Sequence, residues 1–217
     1  MKNLDVMADE IRKELSERDE AREKMLPLCR DSIRYSSGAI RAIHRQEFTE
    51  AAKQIKSARQ TLTDAEKAAG KYIELTATGA VRDAQKELAE ANITLALVTG
   101  KEIPRAKELG VDVAAYLNGM GEAVGEIRRY LLDGMRIGNL ARGEELLGKM
   151  DDIYSVLVTM DFPDALTGGL RRTTDMVRGV MEKTRSDLTL AIRQKALEMT
   201  IGDLNKKESK NKKEREK

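Results

Sequence analysis

The sequence predicts an all-α fold, an antiparallel bundle of about six to seven helices, and three observations support that prediction. Charged residues make up 35% of the 217-residue chain, and Ala, Leu, Glu and Lys, which favour helices, are plentiful. Residues that favour strands or interrupt helices are scarce, since there are two phenylalanines, no tryptophan and three prolines. Apolar residues recur at helical spacing over long stretches. With 41% hydrophobic residues, the chain can form a core of its own.

The first predicted helix extends from Leu4 to about Phe48. Its apolar residues keep helical spacing on both sides of Pro27. Because proline lacks the amide hydrogen that continues the helical hydrogen bonds, it should kink or restart the helix. The segment therefore forms either one long helix or two collinear helices. Its apolar positions are Met7, Ile11, Leu15, Leu26, Ile33, Ile40 and Ile43.

Five further helices are predicted from capping residues, glycines and prolines. Thr49 is the predicted N-cap of the second helix, and Gly70 should end that helix. Asp112 is the predicted N-cap of the fourth helix, whose apolar residues form one continuous stripe. The predicted helices cover residues 49–69, 79–98, 112–137, 139–160 and 170–201.

The segment DLNKKESKNKKEREK, residues 203–217, contains one leucine and no other large apolar residue. Such a segment cannot bury enough apolar surface to offset the entropy lost on ordering, so we expect it to be disordered. No internal repeat and no linker between domains is visible elsewhere. The sequence therefore predicts one helical domain over residues 1–202, followed by a disordered, charged tail.

The composition excludes several classes of protein. The single cysteine, Cys29, rules out an intrachain disulfide and a four-cysteine zinc site, and it fits a reducing cytoplasm. No apolar run approaches the roughly 18 residues that a membrane span requires, and the first ten residues lack an apolar signal core. The formal net charge of +2 does not by itself indicate a polyanionic partner. We therefore expect a cytoplasmic protein without membrane contact.

The segment VRDAQKELAEANITLALVTG carries Asp83, Glu87 and Glu90 within about two helical turns. On a helix these acids form a stripe beside the apolar one, so they flank the buried edge. Like charges four residues apart cost about 0.2–0.5 kcal/mol, and a divalent cation with oxygen ligands, Mg²⁺ or Mn²⁺, would remove the repulsion. The alternative is ordinary surface charge, because Lys86 can pair with Glu90. Three acids of the first helix share a similar spacing without other signs of a site: Glu17, Glu20 and Glu23.

The segment YLNGMGEAVGEIRRY of the predicted fourth helix contains a second acidic pair, Glu122 and Glu126. Three glycines lie within this helix, where each costs about 0.8–1 kcal/mol relative to alanine. That cost indicates that another backbone or a ligand comes close to the helix. The alternative is a solvated surface beside a helix contact at the glycines. The three glycines are Gly119, Gly121 and Gly125.

Basic residues cluster on the first and sixth predicted helices, and contact with nucleic-acid phosphates is the functional interpretation. The alternative is solvated helix faces with acidic neighbours, and the low aromatic content argues against extensive base stacking. The single histidine is more often a packing residue than a catalytic one. The candidate phosphate contacts are Arg30, Arg34, Arg41, His44, Arg45, Arg171, Arg172, Arg178 and Arg185.

Four stretches, in order and at compatible distances, resemble the translin family, which includes translin and translin-associated factor X. The first two are RDSIRYSSGAIRAIHRQEFTEA and VRDAQKELAEANI. The other two are VDVAAYLNGMGEAVGEIRRYLLDGMRIGN and LTGGLRRTTDMVRGVMEKTRSDLTLAIR. The likeness covers residues 20–200, and it rests on the ordered set of stretches rather than on a single diagnostic motif.

The resemblance implies an all-α protein that assembles into a closed shell, a homo-octamer, and binds single-stranded RNA or single-stranded DNA. In the factor X branch it also implies RNA cleavage with a divalent metal, held by an E-x-x-E on one helix and an aspartate on a later helix. Glu87 and Glu90 match the E-x-x-E, and Glu122 stands where the aspartate would be. Glu126 matches the next acid of the family motif. The resemblance thus implies that the first three acids are catalytic and that all four are metal ligands.

The retained E-x-x-E favours the factor X branch over translin itself, but Glu122 departs from the family pattern. Glutamate is one methylene longer than aspartate, so its carboxylate must reach a metal from a different backbone distance. The leading hypothesis is a Mg²⁺- or Mn²⁺-dependent endoribonuclease acting on single-stranded RNA. The alternatives are a non-catalytic oligomer that binds single-stranded RNA or DNA, and a structural helical scaffold.

Overall fold

The computed structural model describes residues 2–215, which contain eight α-helices, one short 3-10 helix (Ile73–Ala77) and no β-strand. The all-α prediction is therefore confirmed. The α-helices are α1 (Lys2–His44), α2 (Phe48–Ala69), α3 (Gly79–Thr99), α4 (Ala106–Leu109), α5 (Val113–Arg136), α6 (Gly143–Val158), α7 (Asp164–Thr167) and α8 (Leu170–Arg215).

The first two helices form an antiparallel hairpin. α1 passes through Pro27 as one helix, so the one-helix alternative is correct. Ala51, Ala58 and Ala65 of α2 are fully buried, and these small side chains let α2 pack closely on α1. The buried hydroxyl of Ser32 donates a hydrogen bond of 2.9 Å to the carbonyl oxygen of Ala58. This bond satisfies a polar group in the interface between the two helices.

α3 is the central helix of the bundle, since it packs against α1, α2 and α5. Its buried residues extend around most of the helix, and Leu88, Ala89, Ala91 and Ile93 are all fully buried. Burial on several faces is expected of a helix that other helices surround. α5 packs in turn against α8 and α6. The acids of α3 and α5 therefore belong to the two helices at the centre of the fold.

The helix starts agree only partly with the predictions from capping residues. Asp112 caps α5 as predicted, and its carboxylate accepts hydrogen bonds from two backbone amides of the first turn, at 2.9 and 3.4 Å. The prediction that Thr49 caps the second helix is wrong, because α2 begins at Phe48 and Glu47 occupies the N-cap position without a side-chain hydrogen bond. Capping residues in the sequence therefore give the approximate start of a helix, but they do not always identify the residue at the N-cap position.

The end of the last helix differs from the sequence prediction. α8 does not stop at Ile201 but continues through Gly202 to Arg215. A single glycine costs about 1 kcal/mol in a helix interior and does not have to end it, and the Lys and Glu residues that follow favour helix. The segment that we expected to be disordered is helical as far as residue 215, and residues 216 and 217 lie outside the described part. Every described side chain after Gly202 is exposed, so the segment adds nothing to the core.

Within residues 2–215, no helix has both the length and the apolar character needed to cross a bilayer. The division into one domain over residues 1–202 and a charged tail stays a prediction.

Candidate metal centre

Gly119 brings α5 close to α3. A Cβ atom at this position would lie 2.5 Å from the carbonyl oxygen of Lys86 and 3.1 Å from the amide nitrogen of Glu90. No side chain fits in that space, so only glycine allows the two backbones to approach this closely. The structure thus confirms the close approach that the glycines of this helix predicted, and places it beside the acids of α3.

The other two glycines of α5 differ from each other. A Cβ at Gly121 would collide with the side chain of Thr173 on α8, so this glycine allows a second close helix contact. A Cβ at Gly125 would meet nothing within 4 Å. The prediction of a close neighbour is therefore wrong for Gly125, and nothing in the structure explains that glycine.

The close approach of α3 and α5 brings three predicted site residues together. Glu87, Glu90 and Glu122 each offer a carboxylate oxygen, and the three oxygens lie within 4.8 Å of one another. Glu87 and Glu90 are three residues apart on α3, which places them on one helix face. Glu122 reaches the same place from α5, one turn beyond Gly119. Asp83, the remaining acid of the α3 stripe, is exposed and lies outside this carboxylate cluster.

Burial changes the protonation of the carboxylate cluster. Glu90 is only 9% exposed, and burial raises its pKa to about 8, with smaller upward contributions from Glu87, Glu122 and Glu126. Burial also raises the pKa of Glu87, and the nearby Lys86 opposes that shift. A buried carboxyl group surrounded by other carboxylates takes up a proton because its charged form is poorly solvated and repelled. The site is therefore one in which a cation would replace protons.

Lys86 is the internal counter-charge of the carboxylate cluster. Its Nζ donates a hydrogen bond of 2.7 Å to Oε1 of Glu122, so the predicted pairing of Lys86 with Glu90 is wrong. Burial lowers the pKa of Lys86, but the hydrogen bond to Glu122 and the surrounding carboxylates raise that pKa above its ordinary value. The ammonium therefore remains charged. The sequence analysis missed this contact, although Lys86 directly precedes Glu87 and so lies close to the acidic stripe.

Glu126 and His44 form a second polar contact beside the cluster. His44 Nε2 lies 2.5 Å from Oε2 of Glu126, and we assign the proton to this nitrogen because a carboxylate can only accept. Glu126 is not among the three residues whose oxygens converge, so its predicted role as a fourth metal ligand stays a prediction. The side chain of His44 is only 6% exposed, which removes it from the residues that could contact phosphate at the surface.

The donor set of the carboxylate cluster suits a hard divalent cation. Three carboxylates offer oxygen ligands only, which favour Mg²⁺ or Mn²⁺ over the nitrogen and sulfur donors typical of zinc. Mg²⁺ usually keeps several water ligands, so three carboxylates are enough protein ligands for it. The candidate ligands lie on two packed helices rather than on a loop, so the core fixes their backbone positions. The residues present therefore fit such an ion.

The candidate phosphate contacts other than His44 are all exposed on α1, α8 and the turn after α1. Three of them pair with nearby acids: Arg34 with Asp31, Arg45 with Glu47 and Arg185 with Asp151. Among the side chains that the structure describes, no ion pair involves the other five: Arg30, Arg41, Arg171, Arg172 and Arg178. α1 packs on α2 and α3, whereas α8 packs on α5 and α6. The basic residues are thus divided between helices with different packing partners.

Comparison with known proteins gives relatives over most of the chain. No protein-family model matches it. A solved structure described as a complex of AfC3PO with duplex RNA has 35% sequence identity and a TM-score of 0.79, covering 87% of this chain and 97% of that chain. The crystal structure of AfC3PO has the same identity, with a TM-score of 0.78 and coverage of 87% and 98%.

Two more distant relatives agree with this result. The crystal structure of apo-NeC3PO has 21% identity and a TM-score of 0.75, covers 85% of this chain and 96% of that chain, and supports the fold alone. An uncharacterized protein of Methanocaldococcus jannaschii is 29% identical over 187 residues, which cover 82% of this chain and 79% of that protein.

Proposed function

The chain belongs to the translin family, as its 35% identity to AfC3PO over nearly the whole of that chain shows, and from that premise we propose that it is a metal-dependent endoribonuclease acting on single-stranded RNA. The observation that carries the proposal is the convergence of Glu87, Glu90 and Glu122 within 4.8 Å. Binding of RNA is supported by the AfC3PO relative, whose structure is described as a complex with duplex RNA.

In the proposed reaction, Glu87, Glu90 and Glu122 would hold Mg²⁺ or Mn²⁺. A bound ion would supply Lewis-acid chemistry, which lowers the pKa of water and offsets negative charge on the phosphate. Glu90 has to release its proton to act as a ligand, because burial holds its pKa at about 8. Lys86 adds a positive charge next to Glu122, where it can contact a phosphate oxygen. The exposed arginines of α1 and α8 hold the RNA backbone without reading bases.

We propose in addition that the protein works as a homo-octamer, as the family resemblance implies, and that it belongs to the factor X branch because it retains the E-x-x-E. Light scattering on the purified protein tests the assembly. A mass close to eight chains of 24.2 kDa supports it, and a monomer at micromolar concentration contradicts it.

A second function, binding of single-stranded RNA or DNA without cleavage, is favoured by one contact. Glu122 stands where the family has an aspartate, and Lys86 already neutralises it through a 2.7 Å hydrogen bond. If that ion pair persists in solution with Mg²⁺, two carboxylates remain for the metal. Such a site would hold the ion less tightly than three free carboxylates would.

A cleavage assay separates the two functions. Labelled single-stranded RNA is incubated with the protein in Mg²⁺, in Mn²⁺ and in EDTA, and RNA binding is measured in parallel at several salt concentrations. Metal-dependent products with binding that weakens as salt rises support the nuclease. Salt-dependent binding without products in either metal supports the binding protein. Absence of both activities supports a structural scaffold and contradicts both proposals.

A further inference from the structure

A cavity of about 380 Å³ lies where the end of α1, the last turns of α5 and the start of α6 meet. We call it the α5-end cavity. Its volume is within the range of small-molecule sites in proteins, about 300–1,000 Å³. Leu131, Ile137 and Leu146 give it an apolar wall, and Tyr130 adds an aromatic ring. None of the three acids of the carboxylate cluster lines it, so it is a separate space.

The side chain of His44 is only 6% exposed and lines the α5-end cavity. Its Nε2 carries the proton donated to Glu126, which leaves Nδ1 as an acceptor in the neutral ring. Nδ1 is buried, and no group in the part of the chain that the structure describes hydrogen-bonds to it. A buried acceptor without a partner is costly. A donor from outside the chain is therefore expected at this place.

Asp133 adds a second acceptor to the α5-end cavity. Its Oδ2 lies 4.0 Å from Nδ1 of His44, which is too far for a direct hydrogen bond. One amino group placed between the two atoms can donate one N–H to each of them. A carbonyl oxygen in the same place would be repelled by both acceptors. This pair of atoms therefore favours a ligand that carries an amino group.

Gln46 has a backbone conformation that glycine adopts more easily. Its φ of 60° lies in the left-handed region, and its amide donates a hydrogen bond of 2.9 Å to the carbonyl oxygen of Ile43 at the end of α1. Glycine is the usual residue at such a helix end. Gln46 also lines the α5-end cavity, where Asn139 adds a second carboxamide. A strained residue beside a cavity indicates that its side chain has a use there.

These groups are the ones with which proteins bind a single nucleobase. An unstacked base stacks on an aromatic ring, and amide, carboxylate and imidazole groups hydrogen-bond to its edges. Adenine and cytosine each present an exocyclic amino group with two N–H bonds. Uracil presents one N–H between two carbonyl oxygens, so an oxygen would face one of the two acceptors. Arg136 also lines the cavity and places a positive charge where the phosphate of the same nucleotide can lie.

The α5-end cavity lies along the same helix face as the carboxylate cluster. Asp133 follows Glu122 by eleven residues, which at 100° per residue places the two within about 20° of each other around α5. With a rise of 1.5 Å per residue, they are about 16 Å apart along the helix. A strand that passes the carboxylate cluster along this face therefore reaches the cavity within a few nucleotides.

We propose that the α5-end cavity binds one nucleobase of the RNA strand and prefers a base with an exocyclic amino group over uracil. Nδ1 of His44 and Oδ2 of Asp133 accept the two N–H bonds of that group, and the base stacks on Tyr130. The inference rests on the proposed binding of RNA but not on cleavage. It adds a base preference to a function for which only contacts to the RNA backbone were assigned.

Binding of labelled oligocytidylate and oligouridylate of equal length tests this preference, because cytosine has an amino group where uracil has a carbonyl oxygen. Fluorescence anisotropy is measured in EDTA near neutral pH, so that no strand is cleaved. The wild type should bind oligocytidylate at least about fivefold more tightly than oligouridylate. Asp133→Ala removes one of the two acceptors and should bring the two Kd values within about twofold of each other.

Asp187→Ala is the matched control. It removes the same charge from a similarly exposed side chain, 42% against 49% for Asp133, and it lies on α8 outside the α5-end cavity. This variant should keep the wild-type preference for oligocytidylate. Equal affinity of the wild type for the two strands, as expected of a cavity that holds only water, would overturn the inference. A preference that survives Asp133→Ala, or that is lost in both variants, would also overturn it.

Failure of the proposed RNA binding gives a different result. If the wild type binds neither strand, CMP and UMP are added separately at equal concentration and the melting temperature is measured. Stabilisation by CMP alone that is lost in Asp133→Ala would support the amino-group preference and assign the cavity to a free nucleotide, while RNA binding fails. Equal stabilisation by CMP and UMP, or none by either, would overturn the inference together with RNA binding.

Discussion

Nζ of Lys86 on α3 lies 2.7 Å from Oε1 of Glu122 on α5, so the carboxylate cluster already contains one positive charge. A divalent ion that binds Glu122 has to compete with this ammonium. The ion pair is partly exposed, and it also connects the two helices whose close approach creates the site.

The first prediction concerns Lys86→Gln. Without metal, the variant should lose about 1 kcal/mol of unfolding free energy, because the cluster keeps its mutual repulsion and loses its counter-charge. Mg²⁺ should stabilise the variant more than it stabilises the wild type, because Glu122 is then free to bind the ion. Urea unfolding in EDTA and in Mg²⁺ measures both effects. Lys71→Gln, which breaks an ion pair distant from the cluster, should show no extra gain from Mg²⁺, and an equal gain in both variants would contradict the prediction.

The second prediction concerns the glycines of α5. Gly119→Ala places a methyl group 2.5 Å from the backbone carbonyl of Lys86, which cannot move without separating α3 from α5. We expect a loss of about 1–3 kcal/mol in unfolding free energy, together with weaker metal binding. Gly125→Ala is the matched control, since a Cβ there meets nothing within 4 Å. It should gain up to about 1 kcal/mol from helix propensity. Thermal unfolding of both variants checks the opposite signs.

The third prediction is the pH dependence that Glu90 produces in the metal-free protein. Its folded-state pKa of about 8 lies above the ordinary value of 4.5, so between these values the folded state binds the proton and the unfolded state releases it. The unfolding free energy therefore falls as pH rises through this window, with a limiting slope of about 1.4 kcal/mol per pH unit from this group. Glu90→Gln should remove that part of the slope. Urea unfolding in EDTA at pH 5, 6.5 and 8 tests this, and identical slopes in wild type and variant would show that Glu90 is not protonated.

The fourth prediction tests the division into domain and tail. A chain truncated after Gly202 should keep its melting temperature within about 2 °C, because every described side chain after that residue is exposed and contributes nothing to the core. The helical signal should fall only by the share of the lost residues. A large drop in melting temperature would contradict the boundary.

The sequence predicted the elements whose signals are local. Asp112 predicted the start of α5 because a capping carboxylate acts within one turn. Gly119 predicted a close approach because a glycine that lowers helix stability needs a compensating contact. The sequence could not identify the partner of Lys86, since Glu90 in the same helix and Glu122 in another are both acids within its reach. It placed His44 among surface residues because nothing in a single helix shows that Glu126 covers the imidazole.

The sequence indicated the carboxylate cluster only in combination with the family resemblance, and the role of these acids as metal ligands stays a prediction. The E-x-x-E spacing alone does not distinguish Glu87 and Glu90 from Glu20 and Glu23, which also lie three residues apart on a helix. The two pairs differ in their position in the folded protein. The second pair is exposed on α1, whereas Glu90 is buried against α5 and meets Glu122 there.

That difference defines the most direct measurement, which is Mg²⁺-dependent cleavage of single-stranded RNA by two matched double variants. Glu87→Gln with Glu90→Gln and Glu20→Gln with Glu23→Gln each replace two glutamates by glutamines at the same spacing. If the carboxylate cluster holds the catalytic metal, the first variant should lose at least about 100-fold in cleavage rate while it still binds RNA, and the second should cleave like the wild type. Undiminished cleavage by the first variant, or an equal loss in both, would contradict the account.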